Sequence, residues 1–419
     1  MRNLLCRISA VFIAILLIFD AGIMVNAETL VPIGDEKAKA PEIVAHGAML
    51  YSCDLEKPVY SKNADKRYYP YSMTKLMTAY LTVKNADLDK VVTVSADAEN
   101  DIENGTTMYL WEGEKISVEE LLYGMLMVSA NDAAYALGEA TAGSMKAFVE
   151  MMNEQAREWG CSNTHFTNSV GLKDADHYTT ANDLLIIVQH VFADETIRKI
   201  LTTEKHTVPA TNMSSERKLK NYVLEMNKKN PGVLGGKSGT WDDDDAGFAL
   251  MYEKDSLSAI LILLKSGRES RVDDARKMFR YAHKVTPGFE VKQGDELSET
   301  WVKHGEKTRV ATELAETVRA YPKENEASAV TTETLFDELE APLAKGDIIG
   351  TYAVYANGEK VAESDVLAAE NVAEGWFPSY IYISNLASCI ILAGILLIII
   401  LLLCYNHRVA KKDEYRGKH

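Results

Sequence analysis

The chain of 419 residues is short of positive charge. It holds 45 Lys and Arg against 61 Asp and Glu, which gives a formal net charge of −16. Residues 1–27 carry +1, residues 406–419 carry +3 and residues 381–405 carry none, so −20 remains on residues 28–380. Because the binding of nucleic acid requires a basic surface, we predict no nucleic acid among its partners.

Cysteine and metal-ligand clusters are equally scarce. Of the five cysteines, Cys6 falls in the N-terminal segment, and Cys389 and Cys404 fall in a C-terminal apolar run. Only Cys53 and Cys161 are left, and two cysteines permit one disulfide, although free buried thiols are the favoured interpretation. The nine histidines include no His-Glu-x-x-His pair and no zinc-like spacing, so we predict no metal site.

The sequence also lacks a phosphate-binding loop. Residues 231–239 resemble one superficially, but Pro231 stands where the first glycine is required. The acidic run 242–245 is interpreted as a solvated turn between strands, because four consecutive acids cannot all converge on one ion. No cofactor is therefore predicted.

The N-terminus has the pattern of a signal peptide. Arg2 and Arg7 precede an apolar stretch at 8–19, and Val25-Asn26-Ala27 offers small or compact residues for cleavage after Ala27. The alternative is a retained anchor, but about 12 apolar residues are short for spanning a bilayer.

The C-terminal run 381–405 has no charge and is rich in Ile and Leu, which predicts a transmembrane helix. Trp376 and Tyr405 are among the aromatic residues that flank it, and the basic segment 406–419 follows. Positive loops stay in the cytoplasm, so we predict a single-pass protein of the cell membrane with a cytoplasmic C-terminus and its body outside the cell. A signal-anchor with a hairpin topology is the alternative.

The exported part divides into two regions of different pattern. Helical stretches such as 72–84, and the capping box at 117–120, are inserted between strand-like stretches at both ends of the first region, which predicts an α+β fold. Alternating residues and an Asn-Gly turn at 357–358 predict a small all-β domain in the second. The predicted organisation is a signal peptide at 1–27, a leader arm at 28–42, a catalytic domain at 43–285, a β domain at 286–372, a juxtamembrane linker at 373–380, a transmembrane helix at 381–405 and a basic tail at 406–419.

Three short motifs occur in order, and their context separates them from chance matches. Ser72-Met73-Thr74-Lys75 opens an apolar-periodic helix, Ser129-Ala130-Asn131 ends one, and Lys237-Ser238-Gly239 precedes a strand pattern. A second Ser-x-x-Lys at 215–218 and a second Ser-x-Asn at 61–63 lie in strongly polar stretches, where a solvated surface is the simpler explanation.

The residue types in these motifs suit nucleophilic catalysis. A Ser and a Lys three apart on a helix share one face, and a desolvated Lys can lose its proton and activate the hydroxyl. Ser129 and Asn131 can relay a proton and hold an amide. Lys237 and Ser238 offer a cation and a hydroxyl to a carboxylate, and Gly239 lets a substrate backbone lie close.

Ser-x-x-Lys, Ser-x-Asn and Lys-[Ser/Thr]-Gly in this order resemble the signature of penicillin-recognising serine enzymes. The surrounding segments 70–78, 129–134, 166–172 and 177–181 look like those of the low-molecular-weight D-alanyl-D-alanine carboxypeptidases, and 345–351 resembles their C-terminal β domain. The resemblance spans about residues 43–370. It implies a DD-peptidase/β-lactamase-like domain, an antiparallel sheet flanked by helices with a helical subdomain.

The resemblance also implies a mechanism and partners. The enzyme would remove the terminal D-Ala from peptidoglycan pentapeptide stems through an acyl-enzyme, and β-lactam antibiotics would acylate it. The implied catalytic roles are nucleophile for Ser72, general base for Lys75, proton relay for Ser129 and substrate positioning for Asn131. Carboxylate binding and the oxyanion hole are assigned to Lys237, Ser238, Gly239 and Thr240.

Three departures from the family pattern stand out. Ser238 replaces the usual Thr, Lys220-Asn221 falls near a common Arg-Asn pair, and the anchor is a full transmembrane helix where many relatives have an amphipathic one.

Two other functions are open. A β-lactamase shares the motifs but needs a deacylation base, and residues 163–176 contain no Glu. A wall-binding protein with a dead site is the non-enzymatic alternative, against which the intact motifs argue.

Overall fold

The computed structural model describes residues 31–100, 105–322, 330–375 and 385–416. The predicted signal peptide and most of the predicted juxtamembrane linker lie outside the described residues. The helices are α1 Lys75–Asn85, α2 Ala96–Asn100, α3 Val118–Met127, α4 Asn131–Ala142, α5 Met145–Glu158, α6 Ala181–Ala193, α7 Glu195–Thr202, α8 Tyr222–Met226, α9 Ser270–Val285 and α10 Asn385–Arg416.

The strands of the first region and its borders are β1 Val31–Ile33, β2 Gly47–Ser52, β3 Lys57–Lys62, β4 Val91–Thr93, β5 Lys115–Ser117, β6 Lys205–Val208, β7 Arg217–Lys220, β8 Val233–Thr240, β9 Ala246–Lys254, β10 Leu257–Ser266 and β11 Gly288–Val291. Those that follow are β12 Thr300–Lys303, β13 Arg309–Val310, β14 Thr312–Leu314, β15 Val318–Ala320, β16 Val330–Phe336, β17 Leu339–Glu340, β18 Ile348–Ala356 and β19 Glu359–Ala368.

A five-stranded antiparallel sheet organises the first region. Its strand order is β3-β2-β10-β9-β8, which confirms the strand-like stretches predicted at both ends of the first region. Side chains of β10 alternate: Leu261 and Leu263 pack with helix α9 on one face, and Ile260 and Ile262 pack with the helical cluster on the other. Because both faces of β10 are covered, its sequence is a nearly continuous run of apolar residues.

The helical cluster surrounds α1, most of whose residues are buried. The predicted helix start is confirmed, since the Ser117 hydroxyl accepts a hydrogen bond from the backbone N–H of Glu120 at the start of α3, but the carboxylate of Glu120 bonds to His206 and does not complete the capping box. The prediction that the α-helix begins at Ser72 was wrong by one turn. Residues Tyr71–Thr74 form a 3-10 turn, and the α-helix begins at Lys75.

The second region is built from strands, as predicted. Strands β14-β19-β18-β16 form one sheet and β13-β12-β17 another. The Asn-Gly hairpin is confirmed: Asn357 and Gly358 both have positive φ, at 52° and 83°, between β18 and β19. Strand β16 was not predicted.

The predicted leader arm contains a strand that was also not predicted. Strand β1 pairs antiparallel with β11, which in turn pairs with β15. The N-terminal segment and the β region therefore share one sheet.

Helix α10 continues the chain beyond the β region. Its segment Leu386–Tyr405 is long and apolar enough to cross a membrane, and only 11% of its most apolar window is buried. A core helix of a soluble protein would be covered, so the exposure of this helix fits a membrane anchor.

Candidate active site

Ser72 lies where three segments of the chain meet. The 3-10 turn that carries it is preceded by Pro70, and Tyr71 adopts a positive φ of 49°. Two glycines approach its backbone. A Cβ on Gly171 would overlap the carbonyl of Tyr71, and a Cβ on Gly239 would lie 2.6 Å from the carbonyl oxygen of Pro70. Larger residues at these two positions would push the turn away from its neighbours.

Lys75, one turn further on, is completely buried and points its ammonium nitrogen at Ser72. Its Nζ lies 3.1 Å from the Oγ of Ser72, 2.7 Å from the Oδ1 of Asn131 and 2.6 Å from the carbonyl oxygen of Val170. Burial, followed by the positive charge of Lys237, holds the pKa of Lys75 well below its usual value, against an opposing pull from Asp132. An amine in this state can accept a proton.

Ser129 sits in the connection between α3 and α4 with a positive φ of 66°. Its hydroxyl accepts a hydrogen bond of 2.8 Å from the Nζ of Lys237. Asn131 opens α4, and its backbone N–H donates to the carbonyl of Thr106 at 2.7 Å. The strained connection therefore presents a hydroxyl and a carboxamide toward Ser72 and Lys75.

Asp132, the next residue, stabilises the loop of residues 105–110, which lies against the connection between α3 and α4. Its carboxylate accepts the backbone N–H groups of Met108 and Leu110, each at 3.1 Å. Burial raises the pKa of this carboxyl, and these backbone donors oppose the rise. Gly105 is needed in the same loop, since a Cβ there would overlap the side-chain amide of Asn131.

Lys237 and Ser238 come from β8, the edge strand beside the turn of Ser72. Lys237 is 1% exposed, and burial together with the charge of Arg271 lowers its pKa to about 7. Arg271 is itself buried on α9 and donates to the carbonyl of Gly239 and to the hydroxyl of Thr240, both at 2.9 Å. The end of β8 therefore has two buried basic side chains, Lys237 and Arg271, in an acidic protein.

The loop 167–172 supplies the carbonyl of Val170 and is itself tightly built. The side-chain oxygen of Asn168 accepts the backbone N–H groups of Val170, Gly171 and Leu172, at 3.3, 2.7 and 3.0 Å. Beside it, burial lowers the pKa of His177 to about 4. The neutral ring accepts from the backbone N–H of Thr167 at Nδ1 and so donates to Thr74 from Nε2.

Two lobes of one open groove meet at Ser72. The first has a volume of about 380 Å³ and is lined by Ser129, Ser238 and Arg271, among others. The second, of about 430 Å³, runs between Leu172 and Trp241. Both lobes share Ser72, Thr106, Thr240 and Arg268.

The structure thus brings Ser72, Lys75, Ser129, Asn131, Lys237, Ser238, Gly239 and Thr240 together. The second Ser-x-x-Lys motif is placed differently: Lys218 lies on strand β7 and Ser215 precedes that strand, so the motif does not form a helical turn. Asn221 is buried, donates to the carbonyl of Leu201 and caps α8. The acidic run 242–245 lies in the turn between β8 and β9, as predicted.

Sequence reasoning missed several residues that shape the site. They are Gly105, Asp132, Asn168, Gly171, His177 and Arg271. Arg271 carried a weak signal, as an arginine on the apolar face of an amphipathic helix. Cys53 and Cys161 are both free thiols, as favoured, but only Cys161 is buried, and Cys53 is half-buried.

A buried lysine that donates to a serine one turn away, on a scaffold of helices around an antiparallel sheet, defines a serine peptidase of the penicillin-binding DD-peptidase class. The chain belongs to the D-alanyl-D-alanine carboxypeptidase family, whose model matches residues 35–266. A second match, over residues 290–374, is to the C-terminal domain of penicillin-binding protein 5.

Relatives of known activity resemble this chain over most of its length. The D-alanyl-D-alanine carboxypeptidase DacF of Bacillus subtilis is 29% identical over 351 residues, which cover 80% of this chain and 88% of the relative. DacC of Escherichia coli is 29% identical over 82% of this chain and 88% of its own length. The chain is accordingly a D-alanyl-D-alanine carboxypeptidase, a serine peptidase and a hydrolase.

Solved structures agree with this assignment. Penicillin-binding protein 5 of Haemophilus influenzae has a TM-score of 0.55 and 27% identity, and the match covers 80% of this chain and 100% of that one. The Streptomyces K15 DD-transpeptidase has a TM-score of 0.54 and 28% identity, over 58% of this chain and 99% of that one. The fold is therefore that of the penicillin-binding DD-peptidases, with a C-terminal β domain.

Proposed function

We propose that this enzyme trims the terminal D-Ala from peptidoglycan pentapeptide stems through an acyl-enzyme on Ser72, and that β-lactams acylate the same hydroxyl. The observation that carries the proposal is the contact between the fully buried Nζ of Lys75 and the Oγ of Ser72, at 3.1 Å. A lysine whose pKa is held low by burial can take the hydroxyl proton, which turns a weak nucleophile into an effective one.

The proposed steps use the groups that meet at Ser72. Lys75 removes the proton of Ser72, whose oxygen attacks the carbonyl carbon of the penultimate D-Ala. The backbone N–H groups of Ser72 and Thr240 stabilise the oxyanion. Ser129, hydrogen-bonded to Lys237, gives its proton to the leaving amine as the C–N bond breaks, and it regains a proton from the ammonium group of Lys75 or Lys237, so that the proton taken from Ser72 reaches the amine. Asn131 holds the stem peptide, and water then hydrolyses the ester.

Recognition of a free C-terminus rests on the lobe lined by Ser238 and Arg271. Lys237, Ser238 and Thr240 face the terminal carboxylate, and Gly239 lets the peptide backbone lie along β8. Arg271 holds the carbonyl of Gly239 and the hydroxyl of Thr240 in place and adds positive charge. A carboxypeptidase needs such a cationic end, because the free carboxylate distinguishes the last residue from an internal one.

The proposal includes the location of the enzyme. Residues 1–27 would direct export and be removed, and α10 would hold the enzyme in the cell membrane with its catalytic part on the wall side. The apolar segment Leu386–Tyr405 and the basic residues after it support this orientation.

Release of D-Ala from a wall-derived pentapeptide tests the activity, and labelling with a fluorescent penicillin tests the acyl-enzyme. We expect Ser72→Ala to abolish both. Ser215→Ala is the matched control, since it alters the other Ser-x-x-Lys motif at an exposed position and should change neither. Acylation that survives in Ser72→Ala would overturn the assignment of the nucleophile.

A further inference from the structure

A basic cleft lies beside the groove of the active site. It has a volume of about 490 Å³, and four cations line it, namely Lys66, Arg67, Lys173 and Lys265. Two carboxylates, Asp176 and Asp245, also line it, and Asp245 already accepts a hydrogen bond from the hydroxyl of Tyr71. In a region with a net charge of −20, a cleft with an excess of positive charge is a local exception.

The charges of these cations are available to a ligand. In the part of the chain that the structure describes, none of the four has a carboxylate oxygen within 4.0 Å. Lys173 is held over aromatic rings, with its Nζ 5.0 Å from the ring centre of Tyr69 and 5.3 Å from that of Trp241. Cation–π contacts position an ammonium group and leave its charge uncompensated.

The cleft adjoins the lobe proposed for the acyl side of a substrate, because Tyr71 and Trp241 of that lobe contact Asp245 and Lys173 of the cleft. The lobe beside Ser238 and Arg271 would take the carboxylate end, so the rest of the peptide must leave Ser72 through the other lobe. That lobe runs past Trp241, whose ring stacks on Tyr71 at 6.1 Å and contacts Lys173 on the side of the cleft.

Lys173 lies within reach of the first residues on the acyl side. Gly171 touches the backbone of Tyr71, and Lys173 follows two residues later, so its Cα is at most about 7–8 Å from that of Gly171. A substrate in extended conformation advances about 3.3–3.6 Å per residue. Side chains one or two residues before the scissile bond therefore reach the mouth of the cleft.

We propose that the basic cleft of Lys66, Arg67, Lys173 and Lys265 binds free carboxylates on the acyl side of the stem peptide. This inference rests on the proposed function. The cleft would favour stems whose side-chain carboxylates are free over stems in which they are amidated, with Lys173 as the residue nearest to the reaction groove.

The test compares two pentapeptides that differ only in whether their acyl-side carboxylates are free or amidated. The full-length enzyme in detergent is assayed for KM and kcat of D-Ala release. We expect wild type to have the lower KM for the free-acid peptide. Lys173→Gln should raise that KM by about twofold to fivefold more than it raises the KM of the amidated peptide, with added salt reducing the difference. Adding Lys66→Gln should enlarge the effect.

Two controls separate this role from a structural one. Lys146→Gln, at an exposed position on α5, should change neither KM. Acylation by benzylpenicillin, whose carboxylate lies on the leaving-group side, should proceed at the wild-type rate in Lys173→Gln if the reaction centre is intact.

Several outcomes would overturn the inference. An equal change of KM on both peptides would make Lys173 structural. Equal KM values in wild type, with D-Ala released from both, would refute the cleft and leave the proposed function standing, whereas no release from either would refute both. If Lys173→Gln left the kinetics of both peptides unchanged but weakened binding of the enzyme to a phosphate polymer, the cleft would be a site for a different anion.

Discussion

The Nζ of Lys237 lies 2.8 Å from the Oγ of Ser129, although 108 residues separate them in the chain. The bond joins the edge strand β8 to the connection between α3 and α4. On the other side of the site, Lys75 makes the corresponding contact with Ser72. Each of the two buried lysines thus donates to one serine, and the charge of Lys237 lowers the pKa of Lys75. The two contacts are therefore electrostatically linked.

This coupling gives a prediction for pH dependence. Lys237→Gln removes a neighbouring positive charge, so the pKa of Lys75 should rise. A protonated Lys75 cannot accept the proton of Ser72, and the acidic limb of the pH profile should move to higher pH. The position of the acidic limb is measured from the residual rate of penicillin acylation of Lys237→Gln as a function of pH. A limb that stays in place would contradict the coupling, and Lys146→Gln serves as the control.

Carboxylate recognition should depend on Ser238. A charged hydrogen bond contributes about 1.5–3 kcal/mol, so Ser238→Ala should lower kcat/KM for the free-acid peptide by about tenfold to a hundredfold. An analogue with an uncharged C-terminal amide or ester should lose far less. Kinetics on the two substrates decide the matter, and an equal loss on both would show that the hydroxyl does not contact the carboxylate.

The same preference should weaken with rising pH in the wild-type enzyme. Lys237 has its pKa lowered to about 7, so it is charged below this pH and neutral above it. Discrimination between free-acid and amide substrates should therefore be strongest below about pH 7 and decline above it. The ratio of kcat/KM for the two substrates across this range is the measurement, and a flat ratio would exclude Lys237 as the titrating group.

Gly171 and Gly160 are matched positions for a test of the contact between Gly171 and the turn of Ser72. Both have positive φ, at 90° and 79°, but a Cβ on Gly171 would overlap the carbonyl of Tyr71, whereas one on Gly160 has nothing within 4 Å. Gly160→Ala should cost about 1 kcal/mol of unfolding free energy and leave acylation intact. Gly171→Ala should cost more and impair acylation, because the turn of Ser72 must move. Thermal unfolding and penicillin labelling compare them, and equal behaviour would refute the close contact.

Membrane attachment should depend on the C-terminal helix. A chain that ends before residue 381 should be released as a soluble enzyme that still binds penicillin, because Leu386–Tyr405 is removed. Fractionation of cells that express each form measures this. If the shortened chain stayed with the membranes after a salt wash, the anchor would lie elsewhere.

The sequence revealed the features of the fold and of the site that are local in the chain. Ser72 and Lys75 are one turn apart, and the helix start at Ser117 and the turn at Asn357 are fixed by neighbouring residues. These features depend on short-range geometry, which residue spacing encodes.

The features that sequence reasoning missed depend on long-range contacts. The carbonyl of Val170 is a partner of Lys75 by position alone, and any residue type supplies a carbonyl. Arg271 reaches Gly239 from a helix 32 residues away, where its periodicity resembles that of any amphipathic helix. The local sequence gives at most a weak signal for such residues, because their role arises only when the sheet has formed.

The pairing of β1 with β11 has a consequence for the order of folding. Val31 pairs with Glu290, so this contact closes a loop of roughly 260 residues. Because closing so long a loop costs conformational entropy, we expect β1 to pair with β11 only after more local contacts have formed. A chain that crosses the membrane from its N-terminus delivers β1 first and its partner long afterwards. Under the proposed export, the first strand therefore stays without its partner until β11 has also crossed the membrane, and it is an open edge for proteases and chaperones until then.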